Sequence, residues 1–525
     1  MTADQADPVV STPHGALRGR YERGVAVFRG IPYAQPPFGP RRFRPPEPLP
    51  PWDGVRDAGA FGPTPPKPPY SEAFAPYLSD PVIPGDDILN LNVWTPAPDP
   101  AARLPVLVWL HGGALTRGSS AVPVYDGHAF ARDGVVCVSL NYRLGVEGYG
   151  LFPDAPANPG LRDQIAALAW VHETIEAFGG DPGRITLFGQ SAGAISIGAL
   201  LAAPQTRGMV RRAVLQSGPP EAAERTRVRR MVRRMASRLR IPATAEAFAT
   251  VDRDLLLRTQ AEVGRLSSPV IGGPAFGIVV DGDVVPRDPL EALLDGAAPG
   301  VDLMMGWTRD EHRLWLVPGG LMERLDRLGA VALAGAMARC RCGGEVPRGY
   351  RALRPEAGTA DLVGDLVTDH LLRIPLHRLA DARTEPSYVY EFAWPSRLPG
   401  LGACHALELG FVFDTGEVPE SRRLAGEGAP QDLADALHSA WVRFAADGDP
   451  GWERWDATHP VRVFGDPAPD APDPLAHTAP GPRDRELALW TRDALTPSPV
   501  GTPPRGTELR TAVRRFRRAG GLRRR

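Results

Sequence analysis

The stretch Ile185-Thr-Leu-Phe-Gly-Gln-Ser-Ala-Gly193 decides the fold of this 525-residue chain. Its first four residues are apolar or β-branched and predict a buried strand, and the small residues at 194–201 predict a helix. Between them lies a Gly-x-Ser-x-Gly turn, which presents its central serine on a strained backbone. Gly189 and Gly193 let the strand and the helix pack where a Cβ would clash. We therefore predict that Ser191 is a nucleophile.

A strand that ends in small residues supplies the second motif. Leu104-Pro-Val-Leu-Val-Trp-Leu110 predicts a buried strand and runs directly into His111-Gly-Gly-Ala114. In α/β-hydrolases, backbone N–H groups of this pattern, together with the N–H of the residue after the serine, stabilise the oxyanion of acyl transfer. Small residues are needed because the substrate oxygen must approach main-chain nitrogens closely. The spacing before Ser191 favours this interpretation over an ordinary strand-to-loop turn.

A serine nucleophile also needs a base and an acid that orients the base. In this type of fold the acid precedes the histidine along the chain. The segment 301–306 predicts a short strand that leads to Glu311, and His405 lies in a Gly-containing loop before a predicted short helix. The chain has 11 histidines, so composition alone does not select His405. Its position in a loop favours a catalytic role.

Further motifs follow one another in an order that resembles the type-B carboxylesterases, the family of bacterial para-nitrobenzyl esterases and cholinesterases. The similarity extends over about residues 8–497. The motifs that carry it lie at 28–37, 42–43, 52–54, 91–96, 141–145, 160–164, 178–182 and 215–218.

The resemblance implies specific site residues. It makes Ser191 the nucleophile, Glu311 the acid and His405 the base, with oxyanion donors at Gly113, Ala114 and Ala192. It also implies two buried salt bridges of structural role, Arg42 with Asp86 and Arg143 with Asp163.

Several positions depart from the family pattern. Gln190 replaces the usual glutamate before the serine, and Leu115 replaces a common aromatic residue, which implies a roomier acyl pocket. His312 replaces the usual glycine after the acid, so the backbone there is expected to be less permissive. Ile88 replaces a cysteine, and the first disulfide of the family therefore cannot form. We predict that Leu115, Gln190 and Trp394 contribute to the substrate pocket.

The expected architecture is an α/β-hydrolase fold: a central, mostly parallel, twisted sheet with helices on both faces. We predict one catalytic domain at 1–497, with a small N-terminal β subdomain at 1–60. Helical excursions at 219–300 and 319–385 would wall the active-site gorge, and an Arg-rich tail would follow at 498–525. Core strands are predicted at 104–110, 134–141, 185–189, 213–217, 302–306, 388–392 and 461–465, and core helices at 161–178, 192–202, 431–447 and about 484–494.

Composition sets the expected location and partners. No run of 18 apolar residues occurs, and the first residues do not resemble a signal peptide, so we expect a cytoplasmic protein without a membrane span. The four cysteines are expected to be reduced thiols. The tail at 498–525 has nine arginines and one acid, a net charge of +8. A solvated tail is favoured over one that binds nucleic acid or an anionic membrane. No cofactor, metal or nucleic-acid partner is expected, and a monomer is favoured.

The sequence thus predicts a serine hydrolase that cleaves small to medium uncharged carboxylic esters through an acyl-enzyme. An acyltransferase or biosynthetic tailoring enzyme remains an alternative, since its acyl-enzyme step is identical. A non-catalytic binding member of the family is disfavoured because all three triad residue types are present. Cholinesterase activity is disfavoured because the loop at 62–84 has no tryptophan to contact a quaternary ammonium.

Overall fold

The computed structural model describes residues 6–265, 267, 273–466 and 475–490. In this part of the chain there are fourteen strands, here numbered in chain order. They are β1 Val9–Thr12, β2 Gly15–Arg18, β3 Arg20–Glu22, β4 Val25–Pro32, β5 Val55–Asp57, β6 Asn90–Thr95, β7 Leu104–Leu110, β8 Val136–Leu140, β9 Gly180–Gln190, β10 Arg212–Gln216, β11 Asp302–Thr308, β12 Ser387–Phe392, β13 Pro460–Phe464 and β14 Ala476–Pro480.

Eighteen α-helices occur in the same part of the chain. They are α1 His128–Arg132, α2 Gly145–Tyr149, α3 Pro159–Thr174, α4 Ala192–Ala202, α5 Arg225–Leu239, α6 Ala245–Ala249, α7 Arg253–Gly264, α8 Pro289–Leu294, α9 Arg313–Leu316, α10 Leu321–Leu328, α11 Ala330–Cys340, α12 Glu345–Leu353, α13 Thr359–Thr368, α14 Ile374–Ala382, α15 Leu409–Val412, α16 Pro419–Ala425, α17 Gln431–Asp447 and α18 Asp484–Leu487. Of the helix predicted at 484–494, the last four residues lie outside the described residues, as does the tail at 498–525.

An eleven-stranded sheet forms the centre, in the order β14-β13-β12-β11-β10-β9-β7-β8-β6-β4-β3. The strands from β8 through β7, β9, β10, β11 and β12 to β13 are all parallel to their neighbours. Antiparallel pairings are confined to the two margins. The predicted mostly parallel sheet is confirmed.

Helices cover both faces of this sheet, because alternate residues of its strands enter two different cores. On β9, Leu187 packs into a core that includes Ile197 of α4, whereas Phe188 packs into the opposite core with Trp441 of α17. Side chains alternate between faces along a strand, so a strand buried on both sides is apolar throughout. This accounts for the unbroken apolar run that predicts β9.

Outside the large sheet, β1, β2 and β5 form a separate three-stranded sheet, whereas β3 and β4 pair onto the margin of the large one. The second helical excursion has a core of its own, in which Tyr350, Leu366 and Trp490 are buried. The division into subdomains, and the position of the excursions above the site, remain predictions.

One of the two predicted salt bridges is confirmed and one is wrong. Arg143 donates to Asp163 through Nε and Nη2, at 2.8 and 2.6 Å, and both side chains are buried. Arg42 instead donates to Glu147 at 2.5 Å, while Asp86 pairs with Arg253 on α7. Glu147 lies on the one-turn helix α2 beside the Arg42 guanidinium, and Asp86 is exposed, so the buried guanidinium pairs with the carboxylate that shares its burial.

The four cysteines are free thiols in the structure. Among the residues that the structure describes, no helix is long and apolar enough to cross a membrane.

Candidate active site

The predicted site residues follow neighbouring parallel strands at their carboxyl ends. His111 follows β7, Ser191 follows β9, Glu311 lies three residues after β11, and His405 lies in the loop after β12. These strands lie within one continuous part of the sheet, in the order β12-β11-β10-β9-β7. The carboxyl ends of parallel strands share one edge, so residues more than 200 positions apart in sequence meet there.

The turn at Ser191 has the strained geometry that its motif predicts. Ser191 has φ 58° and ψ −122°, and its N–H donates to the Gln216 carbonyl at 2.8 Å. Behind it the chain crosses very closely: a Cβ at Gly193 would lie 2.0 Å from the Leu110 carbonyl oxygen. Only glycine fits that crossing, and it holds the serine at the amino end of α4.

Glu311 and His405 are both buried and are joined by a short hydrogen bond between Glu311 Oε2 and His405 Nδ1. The other carboxylate oxygen, Oε1, accepts from the Thr308 N–H at 2.8 Å. Burial alone would raise the pKa of Glu311, but His405, the Ser217 hydroxyl and the Thr308 N–H lower it below its ordinary value. Glu311 is therefore a carboxylate, able to orient His405 and to stabilise its charged form.

His312 does not distort the backbone at the acid. It has φ −62° and ψ −23°, ordinary right-handed geometry at the start of α9, so a glycine is not required there. Its buried ring packs against Gly364 and has Nε2 3.6 Å from Asp361. The substitution fills space beside α13 and leaves Glu311 free to reach His405.

The second ring nitrogen of His405 has an unexpected partner. Gln190 Nε2 lies 3.0 Å from His405 Nε2, and both side chains are buried. An amide nitrogen only donates, so His405 Nε2 must accept, and the ring proton is on Nδ1 facing Glu311. Among the described residues, no hydrogen bond joins the Ser191 hydroxyl to His405. The nitrogen that would take the serine proton is thus occupied by Gln190.

The loop after His111 presents unused backbone donors beside the serine. Gly113 has φ 111°, and Ala114 and Leu115 have φ 54° and 58°, so two residues with a Cβ adopt left-handed geometry. Within the described part of the chain, the N–H groups of Gly113, Ala114 and Ala192 donate to no protein acceptor. The Gly113 carbonyl accepts from the N–H groups of Thr116 and Arg117, both at 3.0 Å, which closes the loop on itself.

His111 supports this loop as a neutral ring. It is fully buried, stacks on Tyr142 with ring centroids 4.5 Å apart, and shares a 2.8 Å hydrogen bond with the Gly112 carbonyl. Burial lowers the pKa of His111 to about 4, so the ring is uncharged at neutral pH and its N–H donates. The Tyr142 hydroxyl donates to the His111 carbonyl at 2.7 Å and fixes the same segment from its other side.

Three residues near Glu311 and His405 were missed by the sequence interpretation. The Trp315 ring lies 4.5 Å from the His405 ring, and Ser217 adjoins Glu311. Glu408 is fully buried, and burial together with the charge of Glu311 raises its pKa to about 8. The motif at 215–218 marked Ser217 without indicating a role. Glu408 follows His405 by three residues, but nothing local signals its raised pKa, nor the proximity of Trp315 to His405.

The three predicted pocket residues differ in position. Gln190 contacts His405, as described above, and Leu115 is buried next to Ala114, with its carbonyl accepting from the Gly145 N–H at 2.7 Å. Trp394 packs on Phe411, with ring centroids 5.2 Å apart, and its described contacts lie in the core that contains α17 rather than at the triad.

Comparison with known proteins gives a consistent result. A model of the carboxylesterase family matches residues 6–462. A para-nitrobenzyl esterase of Bacillus subtilis (strain 168) is 36% identical over 470 residues, which cover 86% of this chain and 92% of the relative. A phenmedipham hydrolase of Pseudarthrobacter oxydans is 36% identical over 488 residues, 87% of this chain and 95% of the relative.

Solved structures agree. The crystal structure of a Geobacillus stearothermophilus carboxylesterase has a TM-score of 0.79 and 36% sequence identity, and the match covers 92% of this chain and 100% of that one. A solved para-nitrobenzyl esterase has a TM-score of 0.78 and 33% identity over 94% of this chain and 100% of the other. With the fold and the family both matched over nearly the whole length, the chain belongs to the carboxylesterase family of α/β-hydrolases and is a hydrolase of carboxylic esters.

Proposed function

We propose that this esterase works by a Ser191–His405–Glu311 triad through a covalent acyl-enzyme. The observation that carries the proposal is the contact of Glu311 with His405 Nδ1, which holds the ring proton there and leaves His405 Nε2 unprotonated. A base with its lone pair at Nε2 and a carboxylate behind it is the arrangement that activates a serine hydroxyl.

In the acylation step His405 Nε2 takes the proton of Ser191 while Oγ attacks the ester carbonyl carbon. The free N–H groups of Gly113, Ala114 and Ala192 receive the developing oxyanion, and each such donor contributes about 3 kcal/mol to lowering the barrier. Because these groups have no protein acceptor to give up, the substrate oxygen replaces only solvent. His405 then protonates the departing alcohol.

The second step releases the acid. Water attacks the acyl carbonyl as His405 removes its proton, and the collapse of the tetrahedral intermediate returns the proton to Ser191. Glu311 remains a carboxylate throughout and balances the positive charge that His405 carries in each transition state. His405 thus carries the proton in both steps, Glu311 balances its charge, and backbone N–H groups stabilise the oxyanion.

The substrates proposed are small to medium uncharged esters. Two relatives at 36% identity are named for para-nitrobenzyl ester and phenmedipham hydrolysis. Among the hydrogen bonds described for Ser191, Gln190 and His405, no partner is the side chain of an arginine or a lysine. Nothing in that set of contacts favours a charged acyl group.

The test is hydrolysis of para-nitrophenyl esters from C2 to C12, combined with intact-mass analysis after a fluorophosphonate probe. Wild type should turn over the esters and gain one adduct, and Ser191→Ala should lose both. Ser196→Ala is the matched control, because Ser196 lies on the same helix but its hydroxyl donates to the Ala192 carbonyl. Retained activity in Ser191→Ala, or no adduct on folded wild type, would overturn the mechanism. The same assay can be run with an added alcohol. If the main product then changes from the carboxylic acid to the ester of that alcohol, the enzyme is an acyltransferase instead.

The cytoplasmic location and the monomeric state remain predictions. Fractionation of producing cells and light scattering of the purified protein test them directly.

A further inference from the structure

We infer that Gln190 is a positioning residue that holds His405 as a neutral base and sets the acidic limit of activity, an inference that rests on the triad proposed above. The carrying observation is the 3.0 Å contact between the Gln190 amide nitrogen and His405 Nε2. The family pattern usually has a glutamate at this position, and a carboxylate cannot donate a hydrogen bond. The contact is therefore a departure of this chain from the family pattern.

The Gln190 side chain is buried with its amide nitrogen toward His405. It is 3% exposed, and it ends β9, where its backbone pairs with Gln216 of β10. A Cβ at Gly112 would lie 3.0 Å from Gln190 Oε1. The carbonyl end of the amide therefore packs against the loop after His111, here called the oxyanion loop. The nitrogen end is thereby directed to the histidine.

A donor at this point discriminates between the two protonation states of His405. In the neutral ring, Nε2 has a lone pair and accepts the amide proton. In the charged ring, Nε2 also bears a proton, so two donors would face each other and the amide must turn away. Gln190 therefore favours the neutral ring, and the Ser191 hydroxyl displaces the amide when the proton transfer begins.

Three titratable groups around His405 keep one charge state over the acidic range. Glu311, in the loop after β11, has a lowered pKa and stays ionised. On the histidine's own segment, burial raises the pKa values of Cys404 and Glu408, which therefore remain neutral below pH 7. Asp310 binds the Ala403 N–H, and Trp315 of α9 presents an uncharged ring. A shift in the acidic midpoint caused by a substitution at residue 190 therefore does not reflect titration of these three groups.

The experiment compares wild type with two variants. In Gln190→Met the side chain has about the same length but no hydrogen-bond donor. In Gln190→Glu the side chain has the same shape, but a carboxyl group replaces the amide and its oxygen accepts a hydrogen bond or carries a negative charge. The pH dependence of kcat/KM for para-nitrophenyl acetate and of Ser191 labelling by a fluorophosphonate is measured from pH 4.5 to 9. We expect the midpoint of the acidic limb to rise by about 0.5–1 pH unit in Gln190→Met, since one hydrogen bond to the neutral ring is lost. In Gln190→Glu it should rise by about 1–3 pH units, because a nearby carboxylate favours the charged ring.

A purely structural role would lower the plateau rate and leave the midpoint in place. Equal midpoints in all three proteins, or a lower one in Gln190→Glu, would overturn the inference. Gln190→Asn, whose shorter amide cannot span the same distance, should behave as Gln190→Met and replaces it if the methionine variant does not fold. Absence of labelling in wild type would refute the triad itself, an outcome distinct from an unshifted midpoint.

Discussion

Two buried glutamates beside His405 differ in charge at neutral pH: Glu311 is ionised and Glu408 is protonated. Glu311 has two hydrogen-bond partners, the Thr308 N–H and His405 Nδ1, and a lowered pKa. Glu408 has a single long side-chain contact, 3.4 Å from Gln216 Nε2, and a pKa of about 8. The charge of the first opposes ionisation of the second, since two carboxylates in one buried site rarely ionise together. At neutral pH only Glu311 can balance a charged His405.

Replacing each glutamate by glutamine tests this division. Glu311→Gln keeps the shape but removes the charge and disturbs the histidine tautomer, so kcat should fall about 10³- to 10⁴-fold. Glu408→Gln replaces a carboxyl group that is already neutral, and kcat at pH 7 should stay within a few-fold of wild type. Steady-state kinetics on one para-nitrophenyl ester give both values. Equal losses in the two variants would mean that Glu408 also acts as an anion.

At the scale of elements, the crossing of α4 behind β7 is the tightest contact at the site. Gly193→Ala would place a methyl group 2.0 Å from the Leu110 carbonyl oxygen. We expect a loss of about 3 kcal/mol of stability or more, since neither backbone can move without displacing Ser191. The control is Gly335→Ala on the exposed side of α11, where no atom lies within 4 Å of the new Cβ. That variant should gain about 0.5–1 kcal/mol. Thermal unfolding midpoints of the two variants should differ from wild type in opposite directions.

The Pro-rich loop at 62–84 contains a buried ion pair. Lys67, the one lysine of the chain, lies 3.0 Å from Asp80, and both side chains are buried. Asp80 also accepts from the Gly118 N–H at 3.1 Å, and Lys67 donates to the Pro81 carbonyl at 2.9 Å. The pair therefore closes the loop and joins it to the segment that carries the proposed oxyanion donors Gly113 and Ala114.

Lys67→Met should destabilise the protein by about 3–5 kcal/mol, because it leaves the Asp80 carboxylate buried without a counter-charge. Lys67→Met/Asp80→Asn removes that charge too and should recover much of the loss. The cycle is measured by the midpoint of thermal unfolding, and labelling of Ser191 reports whether the oxyanion loop is intact. An unchanged midpoint in the single variant would show that the pair contributes nothing to the fold.

The same elements show what the sequence could predict. The strands β7 and β10 and helices α4 and α17 were predicted with bounds close to those observed, because their periodicity and glycines act locally, whereas β9 begins at Gly180, five residues before its predicted start. The partner of Arg42 was predicted wrongly, since Glu147 lies on a one-turn helix that has no periodic signal. The direction of the Gln190 amide depends on a histidine 215 positions away, and no local pattern contains it.

For the whole molecule, buried titratable groups limit stability from two sides. Burial lowers the pKa values of His111, His370 and His377 to about 4, while the unfolded value is about 6.5. Between those values the unfolded chain binds more protons, so stability falls as the pH decreases. Glu408 has the opposite sign: its folded pKa of about 8 exceeds the unfolded value near 4.5, so stability falls as the pH increases toward 8.

These signs predict a maximum of stability near pH 6.5. Below it each buried histidine contributes up to about 1.4 kcal/mol per pH unit, and three histidines outweigh the opposing slope from Glu408. Above pH 6.5 the three histidines no longer contribute a slope, and Glu408 alone of these four groups lowers the stability as the pH increases. His377→Gln should flatten the acidic side of a plot of unfolding midpoint against pH, and Glu408→Gln should flatten the side from pH 6.5 to 8. His172→Gln is the control, because His172 is exposed and should leave the curve unchanged. If Glu408→Gln altered the acidic side alone, the carboxyl group would be ionised in the folded protein, and the division of charge between the two glutamates would be wrong.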